Sequence, residues 1–357
     1  MTIYLVYMAS PVFLYLLMRI FYTGSINENK KVRNAYLFLF AIIMILMIGL
    51  RSRYVGSGDT NFYYNNWILM SRVEFSQLNY TLESIDLEKG YLISVWILSH
   101  IFEDPQMLLV LSAAFFAITL CSFVEKNCDD VVLALLVFNC LGLFNFMIQG
   151  LRQSIAMCIC LFALEKCKKN QIYRFVILIL IAMSFHASAV VFAVVYLLRY
   201  FKLTFPNILI FFTTAIIGIN LLPYIFNFMN SLLNDEYSLN TEAEKGGVVA
   251  ILIYLLIIIF SLLTKKENDK YFSIFIYMSL IGVSTLLMRN TVSNIAERVG
   301  FFFAFSQVAL VSNGVQALND KITRAVVVII VALLCFGVAI YKASYSIVIP
   351  YEFYWQV

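Results

Sequence analysis

Ionisable side chains are sparse in this chain, and those able to do chemistry sit in a few short stretches between apolar runs. Residues 50–64, LRSRYVGSGDTNFYY, hold Arg51, Arg53 and Asp59 around Gly56 and Gly58, with Tyr63 close behind. Glu88 stands in LEKGY. Arg152 stands in QGLRQSIA between Gln149 and Gln153, and His186 in SFHASA. Arg289, Glu297 and Arg298 fall in RNTVSNIAERVGFFF. The planar guanidinium suits bidentate binding of phosphate or carboxylate, which points to an anionic ligand. A helix beginning near Arg152 would add the pull of its N-terminal dipole. Gly56 and Gly58 permit a tight turn whose backbone N–H groups could cradle an anion. His186 is the first choice of general base, because a neutral imidazole can accept a proton near pH 7. Asp59 and Glu88 are the other candidates, and the arginines beside Asp59 suit it better to an orienting role. His100 and His186 are the two histidines and lack an H-x-x-x-H spacing, so a zinc site is not expected. No cofactor is expected, although a carboxylate-held divalent cation stays open.

The elements that must position these residues are membrane helices. The chain is 62% hydrophobic and 13% charged over 357 residues, a balance that fits a polytopic membrane protein rather than two or three soluble domains. A net charge of +4, dispersed along the chain, leaves no nucleic-acid footprint. The cysteines lie in apolar runs or beside lysine-rich loops without a C-x-x-C pair, so they are expected to be core residues. About twelve apolar runs are candidate crossings, at residues 2–22, 34–50, 106–123, 130–147, 149–165, 171–185, 187–200, 207–229, 247–264, 271–288, 298–317 and 323–343. The first is expected to stay as a span. Tyr91 to Phe102 is too short to cross and reads as a re-entrant or interfacial segment within an outer loop, residues 51–105. The whole chain, 1–357, then forms a single all-α transmembrane domain. A second outer loop, residues 230–246, is acidic and solvated. Residues 171–200 read as a hairpin of two short helices with His186 at the turn. This arrangement puts Lys30, Lys31, Arg33, Lys166, Lys168, Lys169, Arg174, Arg199, Lys202, Lys265, Lys266, Lys270, Lys321 and Arg324 on the cytoplasmic side, as the positive-inside rule requires. Arg51, Arg53, Arg72, Arg152, Arg289 and Arg298 fall outside. Ionisable groups gathered near one face of a membrane protein mark a functional site by default.

In order along the chain, RSRYVGSGDTNFYY, EKGY (Glu88 to Tyr91), LRQSIA (Leu151 to Ala156), FHASA (Phe185 to Ala189), ERVGFFF (Glu297 to Phe303) and IPYEF (Ile349 to Phe353) resemble the EpsG family of bacterial exopolysaccharide and capsule proteins. These are regarded as Wzy-type polymerases. The resemblance implies a GT-C-like glycosyltransferase fold in the bacterial plasma membrane, with its active site on the extracytoplasmic side. It implies the joining of oligosaccharide repeat units, carried on undecaprenyl diphosphate, into an exopolysaccharide, capsule or O-antigen. Both donor and acceptor would be lipid-linked, and a flippase and a chain-length regulator are implied partners. On that reading Arg51, Arg53 and Arg152 bind the donor diphosphate, and Arg289 or Arg298 holds the acceptor. Gly58, Tyr63, Gln149, Gln153 and Glu297 support the site. Rival readings are a flippase for a lipid-linked oligosaccharide, a ligase-like transferase, a membrane acyltransferase and a scaffold subunit. The charges gather at one face, whereas transporter sites tend towards the midplane.

Overall fold

The computed structural model describes residues 1–56, 58–214, 217–218, 221, 224, 247–264, 271–288, 298–344, 346 and 348–356. Arg289, Glu297 and the acidic segment 230–246 lie outside them. The described residues are mostly helical and form no strand. Their order is α1 (Thr2–Phe21), α2 (Lys30–Gly49), α3 (Gly58–Met70), α4 (Phe75–Ser84), α5 (Lys89–Ile101), α6 (Gln106–Asn127), α7 (Val131–Cys140), α8 (Leu143–Gln149), α9 (Leu151–Lys168) and α10 (Ile172–Phe185). A 3-10 helix (Ala187–Ala193) and α11 (Val194–Leu198) follow, then α12 (Phe205–Thr214), α13 (Gly247–Leu263), α14 (Phe272–Leu287), α15 (Phe305–Gln316) and α16 (Lys321–Ala343).

Short polar residues set several of these boundaries. Asn29 caps α2 by accepting the N–H groups of Lys31 and Val32 at 3.0 and 3.4 Å. Asp130 caps α7 through Val132 and Leu133, and Asp320 caps α16 through Thr323 at 2.7 Å. Each such cap stabilises a helix start by about 1 kcal/mol.

Among the described residues, α1, α2, α6 and α16 are long and apolar enough to cross a bilayer. A fifth crossing is counted if α7 and α8, bent by 55°, form one broken span. The bend falls at Gly142, whose φ is +99°. Breaking a helix frees carbonyls that apolar surroundings cannot satisfy. Lys342 on α16 answers this by donating to Leu141 O at 2.7 Å. The expected crossing at 149–165 is α9, which carries Arg152, Glu165, Lys166 and Lys168 within 18 residues. The remaining apolar helices, over Ile172–Phe185, Ala187–Leu198, Phe205–Thr214, Val248–Leu263 and Phe272–Leu287, are shorter than those four. Almost every side chain of α7 is buried, whereas α16 turns Ile329, Leu333, Leu334 and Ile340 outward. An apolar helix that leaves such a stripe uncovered belongs against lipid.

Two arrangements position the site. First, α3, α4 and α5 form a small helical unit with its own core, where Tyr63, Trp67, Tyr91 and Val95 pack with Leu108 of α6 and Leu151 of α9. The segment expected to be re-entrant or interfacial is α5, 13 residues and so about 20 Å long, too short to span. Second, the chain turns back at His186. Near the far end of this hairpin, Tyr196 and Arg199 reach Asn170 Oδ1 at 2.8 and 2.6 Å, which closes it beside the start of α10. Helix α9 separates the two ends of the bundle by about 27 Å, with Arg152 at one and Lys168 at the other.

The last residues return to the Arg152 end. Arg51 forms an antiparallel bridge with Phe353. Ser52 N–H donates to Glu352 O at 2.8 Å, Tyr354 N–H to Leu50 O at 2.9 Å, and the Tyr351 hydroxyl to Met47 O.

Candidate active site

Three motifs far apart in sequence meet at Glu88, the residue that precedes the first turn of α5. Its Oε1 lies 3.0 Å from His186 Nδ1 and accepts the backbone N–H of Ala187 at 3.2 Å. Its Oε2 pairs with Arg152 Nη1. All three side chains are largely buried yet retain between 15% and 20% of their surface, enough for a ligand to reach them. The sequence permits this approach at Gly90. A Cβ there would lie 2.2 Å from Ser184 Oγ and 2.6 Å from Ser184 O, so α5 rests directly on the last turn of α10 because residue 90 has no side chain. Helix α10 stops one residue later, and His186 adopts an extended backbone at the junction with the 3-10 helix.

The electrostatics give each group a distinct role. Burial opposes ionisation of Glu88, but the His186 hydrogen bond, backbone N–H groups and Arg152 outweigh it and hold the carboxyl at about 2. Glu88 is therefore an anion at neutral pH, a poor proton acceptor and a good orienting partner. A carboxylate can only accept, so the His186 nitrogen facing it must carry a hydrogen, and a neutral imidazole then has its lone pair on Nε2. Arg152 is held from a second side by aromatic groups. Its guanidinium lies 5.8 Å from the Tyr91 ring centroid and beside the Tyr63 hydroxyl, and those two rings meet edge to face at 5.7 Å. Burial pushes both phenols up, so they stay neutral. Arg152 Nε is buried without a hydrogen-bond partner. A buried guanidinium N–H with no acceptor is costly, and an anionic ligand would relieve it.

The other expected residues fall around this cluster at various distances. Gln153 is buried and donates from Nε2 to the Arg298 carbonyl, which ties α9 to the ERVGFFF stretch, while the Arg298 side chain is exposed. Gln149 is half-buried at the end of α8. Gly58 is the first residue of α3, and Asp59 is exposed on its first turn. Arg53 is exposed and engages its neighbour Tyr54, with Nη2 to the hydroxyl at 2.7 Å. Arg51 is 0% exposed and directs its guanidinium to backbone carbonyls, Nη1 to Ile48 O at 2.6 Å and Nη2 to Ile148 O at 3.0 Å. It thereby joins the end of α2 to the end of α8. Gln106 adds bonds from Nε2 to Gly49 O and Arg51 O at 2.6 and 3.0 Å.

Some contributors were not picked out from their residue types. Tyr91 and Gly90 belong to EKGY, yet a tyrosine at the start of an apolar run and a glycine carry no chemical signal on their own. The Tyr351 and Phe353 contacts give IPYEF a part in holding the Arg51 loop, a long-range pairing that local pattern does not reveal. Among the described residues, no three His, Cys, Asp or Glu side chains stand close enough to hold a metal ion together.

A multi-helix membrane protein with a carboxylate, an imidazole and a guanidinium joined at one end of its bundle is the class these observations define. The chain belongs to the EpsG family, whose model matches residues 34–353, nearly its whole length. No curated protein and no solved structure is similar enough to this chain to match it.

Proposed function

We propose that this protein is a membrane glycosyltransferase that joins oligosaccharide repeat units, carried on undecaprenyl diphosphate, into a polysaccharide at the outer face of the bacterial plasma membrane. The observation that carries the reading is the bridge Glu88 makes between His186 and Arg152. It couples a proton acceptor to an anion-binding group within one partly buried cluster.

In this mechanism a hydroxyl of the acceptor repeat unit attacks the anomeric carbon of the donor chain. The bond from that carbon to the diphosphate oxygen breaks as the new glycosidic bond forms, with inversion. His186 Nε2 takes the hydroxyl proton, while Glu88 holds the ring by the opposite nitrogen and stabilises the imidazolium that results. Arg152 N–H groups meet the negative charge that develops on the leaving diphosphate, in a setting where they need no reorganisation. Arg298 and Arg53, exposed at the same end, are available for the acceptor's charge. Arg51 acts from behind, by fixing the loop that leads into α3. The family membership and the apolar helices support placement of the reaction at a membrane.

The test is incubation of purified protein with a synthetic lipid-diphosphate oligosaccharide in detergent. A ladder of products supports the polymerase. One block transferred to an unrelated acceptor would identify a ligase, and intact substrate at all times would leave a carrier or a scaffold.

A further inference from the structure

At the Lys168 end of the bundle, away from Glu88, helix ends enclose a cavity of about 380 Å³, the size of a small-ligand site. Three cations line it: Arg33 on the first turn of α2, Lys126 on the last turn of α6 and Lys168 at the end of α9. Among the described residues two carboxylates, Glu125 and Asp129, line it as well, and Lys168 is paired with a third, Glu165, which leaves Arg33 and Lys126 as the cations facing the space.

The wall is rigidly built. Lys168 Nζ sits 4.8 Å from the Tyr271 ring centroid and 5.3 Å from that of Phe275, and it reaches Glu165 Oε1 at 3.4 Å and Asn127 Oδ1. Asn313 donates to Asn127 O at 2.9 Å and accepts the Asp129 N–H at 2.8 Å, which fixes the α6–α7 junction. Against this background Arg33 stands out. Its side chain makes no hydrogen bond or ion pair among the described residues, and its Nε is buried without a partner. A guanidinium nitrogen that faces neither water nor an acceptor has lost hydration without compensation. The missing partner is an acceptor, and with Lys126 alongside the group best matched is a phosphate, which offers several oxygens to a planar fork and a point charge at once. The cavity also lies where α2 begins and α6 ends, two helices long and apolar enough to cross a bilayer.

We propose that this cavity is a phosphate-binding site, filled either by a phospholipid headgroup or by a small soluble phosphate ester, and separate from the Glu88 cluster. The proposal stands independently of the glycosyltransferase reading. It is tested on delipidated protein in detergent by native mass spectrometry with dihexanoyl phosphatidylglycerol and by titration calorimetry with glycerol 3-phosphate. The variants are Arg33→Gln and Lys126→Gln, with His186→Gln as a control at the opposite end. Lys126 is exposed and bonded to Ser122 on its own helix, so its replacement should leave the fold intact. Saturable binding that Arg33→Gln weakens about tenfold or more, Lys126→Gln weakens less, and His186→Gln leaves unchanged supports the site. Binding of the lipid alone identifies a headgroup, and binding of both probes a soluble ester. No saturable binding of either probe overturns the proposal. So does equal binding by wild type and both site variants, and if Arg33→Gln fails to fold, Lys126→Gln decides alone.

Discussion

Glu88 Oε1 and His186 Nδ1 lie 3.0 Å apart although 98 residues separate them in sequence. The contact converts a lone histidine at a helix break into an oriented base, because the carboxylate selects which ring nitrogen holds the hydrogen. Two variants separate its parts. Replacement of His186 by Gln should lower turnover by about 10²–10⁴-fold while donor binding persists. Replacement of Glu88 by Gln should lower turnover comparably, since the amide can offer its N–H and accept the wrong tautomer. Steady-state turnover and equilibrium binding of the lipid-diphosphate donor, measured in parallel, check both. Wild-type turnover in the Glu88→Gln protein would remove the orienting role.

Arg152 should not tolerate lysine. Its guanidinium pairs with Glu88 through one nitrogen, lies over Tyr91 and leaves Nε for a ligand, and an ammonium cannot do all three. The expectation for Arg152→Lys is a loss of about 10²-fold, close to that of Arg152→Ala. A lysine variant with near-normal kinetics would indicate that charge alone suffices.

The α5–α10 contact makes a sharper demand. In Gly90→Ala the new methyl would meet both the hydroxyl and the carbonyl of Ser184, so the helices must separate and carry Glu88 away from His186. Activity should fall while the protein still inserts. Addition of Ser184→Ala should not restore it, because the backbone carbonyl at 2.6 Å remains. Recovery in the double variant would show that the hydroxyl was the sole obstacle.

Acid stability follows from the same carboxylate. Glu88 is held at about 2, below its ordinary 4.5, so its contribution is fully present above about pH 4.5 and is lost as pH falls towards 2. Thermal unfolding in detergent across this window should show a steeper decline in wild type than in Glu88→Gln. Parallel curves would mean that the carboxylate is not held in its ionised form by folding.

Arg51 offers a way to tell a structural arginine from a binding one. Arg51→Gln should cost about 2–3 kcal/mol of stability, because it strips hydrogen bonds from carbonyls at the ends of α2 and α8 and weakens the loop that Phe353 and Tyr351 clasp. Turnover per folded molecule should change little. Weaker donor binding with unchanged thermal stability would instead assign Arg51 to the diphosphate.

Part of the candidate site's outline was legible in the sequence because membrane depth makes charge expensive, so Arg152 and His186 stood out against their apolar neighbours, whereas Glu88, between Asp86 and Lys89, did not. The break at His186 was legible too, since a continuous helix would have violated the charge rule. What the sequence concealed was pairing. Nothing local says that Glu88 faces both Arg152 and His186, or that Arg51 turns inward while Arg53 turns out, because these outcomes depend on which helices pack together. The count of crossings was obscured for another reason. Runs of apolar residues carry no mark where a helix bends, as at Leu141 and Gly142, and a charged helix such as α9 can pack inside a bundle without the composition of a lipid-facing span.

The role of His186 as the base is tested most directly by a single-turnover assay on donor-loaded His186→Gln protein beside wild type. Donor should bind the variant with undiminished affinity, and the glycosidic bond should form about 10²–10⁴-fold more slowly than in wild type. Product formed by the variant at the wild-type rate would contradict that role.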